Sequence, residues 1–161
     1  MRTILVLAFS VALVLQAGCG KDPNRPADLP TLYPVKITVT QEGQPVTEAT
    51  VTVTSKTPMK YGSSSTDTDA TGVATLRTYG YVGVPAGEYT VTIEKRGVEG
   101  ARETTNEYGE PEMRGGQIYQ YVDAQFASQA SSPLSITVTD KGATETFEVG
   151  APGKVFLGNM P

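Results

Sequence analysis

The 161-residue chain has no histidine, no tryptophan and a single cysteine. Without histidine it lacks the commonest general base near neutral pH and the commonest side-chain metal ligand. A serine or cysteine nucleophile would find no imidazole to take its proton, which removes the usual designs for acyl transfer. One cysteine cannot close an intramolecular disulfide. Charge is sparse as well, at 19% of residues with a formal net charge of −4. Nucleic-acid binding calls for a basic surface, so no nucleic-acid partner is expected. The longest apolar run, Ile4 to Leu15 broken by Ser10, falls short of the roughly 20 residues that span a bilayer.

That run has the length of a signal-peptide h-region, with Arg2 supplying the positive charge before it and Ala17-Gly18 the small residues after it. The ending Leu15-Gln-Ala-Gly-Cys19 resembles the lipobox of bacterial lipoproteins, with Gln16 at the position where an aliphatic residue is usual. The resemblance implies that residues 1–18 are cleaved and that Cys19 is diacylated on sulfur and acylated on its new amine. Two or more acyl chains hold a protein stably, so a membrane is the expected partner and the cell envelope the expected location. Gly20 rather than Asp follows Cys19, which favours the outer membrane over a periplasm-facing inner one. Residues 19–33 carry Pro23, Pro26 and Pro30 among polar neighbours and read as an extended tether.

From residue 34 to 150 the dominant signal is alternation. Val35, Ile37 and Val39 alternate with Lys36, Thr38 and Thr40, and Ala49, Val51 and Val53 with threonines. Ala74 with Leu76, and Tyr89, Val91 and Ile93, repeat the pattern. Period-two alternation predicts strands with one buried face. The turns between them carry Gly-x-Pro, Asp-x-x-Gly and Pro-x-Gly signals, and residues 55–65 read as a loop. Leu134 to Val138 and Thr144 to Val149, joined by Asp140-Lys-Gly-Ala, read as a closing hairpin. Residues 97–131 are acidic, glycine-broken and without clear period, so a long polar loop insertion is expected there, and residues 151–161 read as a tail. About seven strands and no long helix predict an all-β sandwich.

Three stretches carry a further resemblance: Gly43-Gln-Pro-Val with Ala49-Thr-Val-Thr-Val, then Thr66-Asp-Thr-Asp-Ala-Thr-Gly72, then Pro85-Ala-Gly-Glu-Tyr-Thr-Val-Thr-Ile93. Together they resemble the carboxypeptidase regulatory-like domain, whose fold is a seven-stranded, transthyretin-like (prealbumin-like) β-sandwich. The resemblance implies a non-catalytic accessory module without a cofactor. The hydrolase branch of the transthyretin fold relies on histidines and a C-terminal Tyr-Arg-Gly-Ser, neither of which is present.

Candidate site residues are few. Asp67 and Asp69 before Gly72 could begin a calcium loop, but no acidic ligand follows the glycine, and Asp and Gly are ordinary turn residues. Glu107, Glu110 and Glu112 could offer paired carboxylates to a hydrolase, yet their segment has little apolar material to desolvate one of them. Tyr79 with Tyr81, and Tyr119 with Tyr121, are two i, i+2 pairs that on strands would share a face and could stack a sugar or a protein. Lys36 invites comparison with pilin domains that cross-link Lys to Asn, but the closing strands carry no Asn. The expectation is a non-catalytic, lipid-anchored envelope protein with a protein partner. The alternatives are a binding module for an extracellular polysaccharide or peptide, and a hydrolase using the loop carboxylates.

Overall fold

The computed structural model describes residues 22–151 and 153–160; the signal segment and Cys19 lie outside the described residues. In chain order the strands are β1 (Val35–Gln41), β2 (Gln44–Pro45), β3 (Thr50–Ser55), β4 (Ser63–Asp67), β5 (Val73–Thr75), β6 (Arg77–Thr78) and β7 (Tyr81–Val82). There follow β8 (Gly87–Glu94), β9 (Arg96–Glu99), β10 (Arg102–Thr105), β11 (Pro111–Arg114) and β12 (Gln117–Gln120). A single 3₁₀ turn (Ala124–Phe126) precedes β13 (Ser135–Val138), β14 (Ala143–Glu148) and β15 (Val155–Asn159).

Two four-stranded sheets make an all-β sandwich. In the first, β14 runs parallel to β1, and β2 and β5 pair antiparallel along the other edge of β1. The second has the order β13-β8-β3-β4, antiparallel throughout. Alternation decides what meets between them. Val35, Ile37 and Val39 of β1 are 0% exposed, as are Val51 of β3 and Tyr89, Val91 and Ile93 of β8. Each side chain of this size, fully buried, contributes about 1.5–3 kcal/mol. The outward threonines bond across strands instead: Thr50 donates to Asp67 Oδ1 at 2.7 Å, and Thr52 Oγ1 lies 2.8 Å from Ser65 Oγ. The buried Tyr89 hydroxyl donates to the Pro85 carbonyl at 2.8 Å, and burial pushes its pKa up.

The closing segments depart from the expected hairpin. β13 joins β8 in one sheet, β14 joins β1 in the other, and only Thr139 and Gly142 bridge directly. The turn between them is a crossover. Its Gly142 (φ +82) lies so close to Pro34 that a Cβ would fall 2.1 Å from that carbonyl oxygen, so only glycine lets the chain pass into register with β1. Alternation alone cannot distinguish the two arrangements, because both bury the same face. The 55–65 loop is also shorter than expected, since β4 begins at Ser63.

Three segments outside the sandwich are more ordered than their composition implies. Residues 22–33, the described part of the expected tether, lie against the domain as a strap. Leu29 is 7% exposed, and Tyr33 bridges to Val84. Asp22 accepts from the Tyr81 hydroxyl at 2.9 Å, and Asp28 accepts from Lys60 and from the Tyr61 hydroxyl. Proline density argued for extension, but one apolar anchor and paired charges hold the segment down.

The expected loop 97–131 is largely an arm. Lys95 links β8 to β9, and β9–β12 and β10–β11 form one two-stranded ribbon with the same register on both sides of a break at Gly100, Ala101, Gly115 and Gly116. At the break, a Cβ on Gly116 (φ +119) would lie 2.9 Å from the Ala101 nitrogen. The tip is a closed turn: the Asn106 side-chain oxygen accepts from the amides of Tyr108 and Glu110, both at 2.9 Å. The expected tail supplies β15, the third strand of the sheet β15-β12-β9.

Candidate functional site

The two ends of β8 organise the surface. Its start, next to Val84, carries the strap; its end runs into the arm. Eight residues at about 3.3 Å each separate them by about 25 Å.

At the arm end, Tyr119 and Tyr121 do share a side, as their spacing suggested. Tyr119 meets Phe156 edge-on, with centroids 5.8 Å apart, and Lys154 Nζ sits 4.1 Å from the Tyr119 ring centroid. Lys154 also bonds Glu99 Oε2 at 2.6 Å, and the Tyr121 hydroxyl donates to Glu99 Oε1 at 2.7 Å. Lys154 and then Tyr121 hold the Glu99 carboxyl below its ordinary range, while Glu99 raises the pKa of both partners. Gly97 makes room beneath: a Cβ there would fall 2.9 Å from the Tyr121 ring. Phe156 and Lys154 follow a Pro152-Gly153 turn signal, but Val155-Phe-Leu157 has no alternation, so sequence reasoning read the segment as a tail and missed them.

Beside this platform lies a cleft of about 570 Å³, within the range of ligand sites. One wall is the β1–β2 turn with the segment that leads on to β3, and carries Gln41, Glu42 and Glu48; the other has Lys95, Arg96 and Tyr121. The Gln41 amide ties the walls together, donating to the carbonyls of Tyr121 at 3.3 Å and Ala151 at 3.2 Å. The turn is set from below by Glu148, which accepts from Thr40 Oγ1 at 2.8 Å and the Glu42 amide at 2.6 Å; the Thr40 hydroxyl is the first cause of its lowered pKa. Glu42 (φ +50) and Glu48 (φ +53) hold strained left-handed backbone. Their carboxylates make no ion pair or hydrogen bond among the described residues. The cleft can therefore take a positively charged group on one wall and an acceptor at Lys95 on the other.

The remaining candidates are dispersed. Tyr79 and Gly80 are the two central residues of the β6–β7 turn, both with positive φ, so Tyr79 and Tyr81 do not share a strand face. They lie at the strap end, Tyr81 bonded to Asp22 and stacked under Arg25, whose guanidinium is 5.1 Å from its centroid. Asp69 closes its own turn, accepting from Thr71 Oγ1 at 2.6 Å and from the amides of Thr71 and Val73; these bonds, the Thr71 hydroxyl first, lower its pKa. Asp67 is engaged by Thr50. Among the described residues no group of three or more acidic or cysteine side chains could hold a metal. Glu110 and Glu112 are on the arm, Glu110 in the tip turn with Asn106 and Glu112 paired with Arg114, and Glu107 is exposed beside them.

No protein-family model matches the chain. No curated protein matches it either. Among solved structures, the major pilin subunit of Bacillus cereus is similar at 15% identity with a TM-score of 0.41, over 74% of this chain. The chain spans 30% of that pilin's length. What stands on the geometry itself is the β-sandwich.

Proposed function

We propose that the chain is a non-catalytic, lipid-anchored contact module of the bacterial cell envelope, held to its membrane through Cys19 and meeting a protein partner with its arm end. The observation that carries this reading is the position of the exposed apolar side chains. Val98, Met113, Val155, Phe156 and Leu157 are each about half exposed (47–55%), and all sit on the arm and its small sheet. A lone domain gains nothing from holding so many half-exposed apolar side chains on one appendage in water, whereas a contact surface does. The resemblance to carboxypeptidase regulatory-like domains agrees with an accessory role, and its three motifs fall at the β1–β2 turn, the Asp69–Gly72 turn and β8. Glu107 and Glu110 are exposed and Glu112 is paired with Arg114, an arrangement of surface charges that speaks against the hydrolase.

Two measurements test this reading together. A fatty-acid analogue should label the wild type and leave Cys19→Ser unlabelled; label persisting in the variant would sink the anchor. A partner recovered stoichiometrically with the wild type should be lost with Phe156→Lys while the fold is kept; unchanged recovery would sink the contact surface.

The cleft favours a second reading, an extracellular peptide or polysaccharide as ligand, because it sets Tyr121 between unpaired carboxylates and an ammonium. Retention on the polymer that survives Tyr121→Ala would remove it.

A further inference from the structure

We propose that the strap end of the sandwich rests directly on the lipid surface, with Tyr79, Tyr61 and Val82 at the level of the headgroups. This rests on the reading of Cys19 as the lipidated residue. Cys19 precedes Asp22 by three residues, a reach of about 10 Å at full extension. Asp22 is fixed to the domain by the Tyr81 hydroxyl, and the strap beyond it is held by Leu29, Asp28 and Tyr33. Acyl chains on Cys19 therefore enter the bilayer within about 10 Å of this end, and no long spacer is left to lift the domain away.

The chemistry of that end suits a bilayer. Tyr79 is 71% exposed at the tip of the two-residue β6–β7 turn, whose geometry sets its left-handed backbone (φ +53). Its ring meets Tyr61 edge-on at 6.3 Å, and Val82 on the same hairpin is 48% exposed. Arg25, Lys60 and Arg77 fringe the patch. Aromatic rings with polar tips, bordered by basic side chains, are what membrane–water interfaces select. Most acids at this end are already engaged, Asp22 with Tyr81, Asp28 with Lys60 and Tyr61, and Glu88 with Lys56; exposed Asp140 has Lys141 as its chain neighbour. The far end is the reverse. The arm carries Glu103, Glu107, Glu110 and Glu112 against Arg102 and Arg114, a net negative charge that an anionic leaflet repels. The molecule is thus oriented by charge as well as by its anchor, and the arm stands away from the lipid.

The test uses the full-length, lipidated protein in vesicles of phosphatidylethanolamine and phosphatidylglycerol at roughly physiological salt, where screening is short-ranged. With Cys19 acylated, Tyr79→Cys or Tyr108→Cys supplies one reactive thiol for a nitroxide label. Tyr108, at the arm tip, is 80% exposed. At position 79 the label should be reached by oxygen and protected several-fold from a water-soluble nickel chelate, relative to position 108. Equal chelate access at the two positions overturns the proposal. Protection from oxygen and chelate alike marks a protein-covered site and overturns it too. Val82→Cys repeats the reading should Tyr79→Cys fail to fold. Co-flotation with vesicles, abolished by Cys19→Ser, is scored first: its failure sinks the anchor, whereas flotation with a water-exposed position 79 sinks only the resting face.

Discussion

The sandwich and the arm are built from the same element, the β-strand, and are held by different forces. Between the sheets, β1 and β8 place six apolar side chains at 0% exposure, including Ile37, Tyr89 and Ile93. All four residues of β10 are exposed, and its pairing with β11 rests on the backbone ladder and the Asn106 turn, the Glu112–Arg114 ion pair lying within β11 itself. An isolated two-stranded ribbon is marginal in water, and exposed ion pairs add little. The arm therefore does not contribute to the stability of the domain. Its half-exposed Val98 and Met113 are costs to a lone molecule and assets in a complex.

The sharpest break in this comparison is core truncation. Ile93→Ala should lose about 2–5 kcal/mol in urea unfolding, while Met113→Ala stays within about 0.5 kcal/mol. Equal losses would mean that the arm is part of the core. Next comes the crossover. Gly142→Ala should cost clearly more than Gly109→Ala at the arm tip: both place Ala on left-handed backbone, about 1–2 kcal/mol, but only at Gly142 does the new Cβ also meet a backbone oxygen, that of Pro34.

Acid should loosen the appendages before the sandwich. Asp22 (through the Asn24 amide, then Tyr81), Asp28 (through Lys60, then Tyr61) and Glu99 (through Lys154, then Tyr121) all have lowered pKa values in the folded chain. Their stabilisation is complete above the unfolded values near pH 4 and is lost as pH falls through the lower folded values. Amide exchange should therefore accelerate at the strap and at β9–β12 below about pH 4, with β3 and β8 still protected. Simultaneous release of all of them would contradict this separation. Phe156→Lys, like Met113→Ala, should change stability by no more than about 0.5 kcal/mol, although it removes the proposed contact.

The division between sandwich and arm also governs what could be read in advance. Buried alternation identified Val35, Ile37, Val39, Val51, Val53, Tyr89, Val91 and Ile93 as inward residues, and each is at most 1% exposed. That signal exists because a buried face filters its residues. The arm has no buried face, so nothing in residues 97–117 marks strands; its register comes from long-range ladder bonds and a closed turn. The strap was misleading for a related reason. Proline density describes local stiffness and is silent about Leu29 docking 7% exposed against distant side chains. Tyr119 with Tyr121 was legible from spacing, whereas the Tyr79-Gly80 turn broke the rule for Tyr79 with Tyr81. The cleft brings together residues from 41 to 153, an assembly that comes only from topology.

The central claim is that the arm end makes the contacts and the sandwich face does not. A photo-activated cross-linking residue placed in turn at Met113, Phe156 and the outward-facing Thr52 of β3, in intact cells, tests it most directly. A discrete cross-linked adduct at positions 113 and 156, with none at 52, is the result the account predicts. Adducts at position 52 alone, or at all three with equal yield, would contradict it.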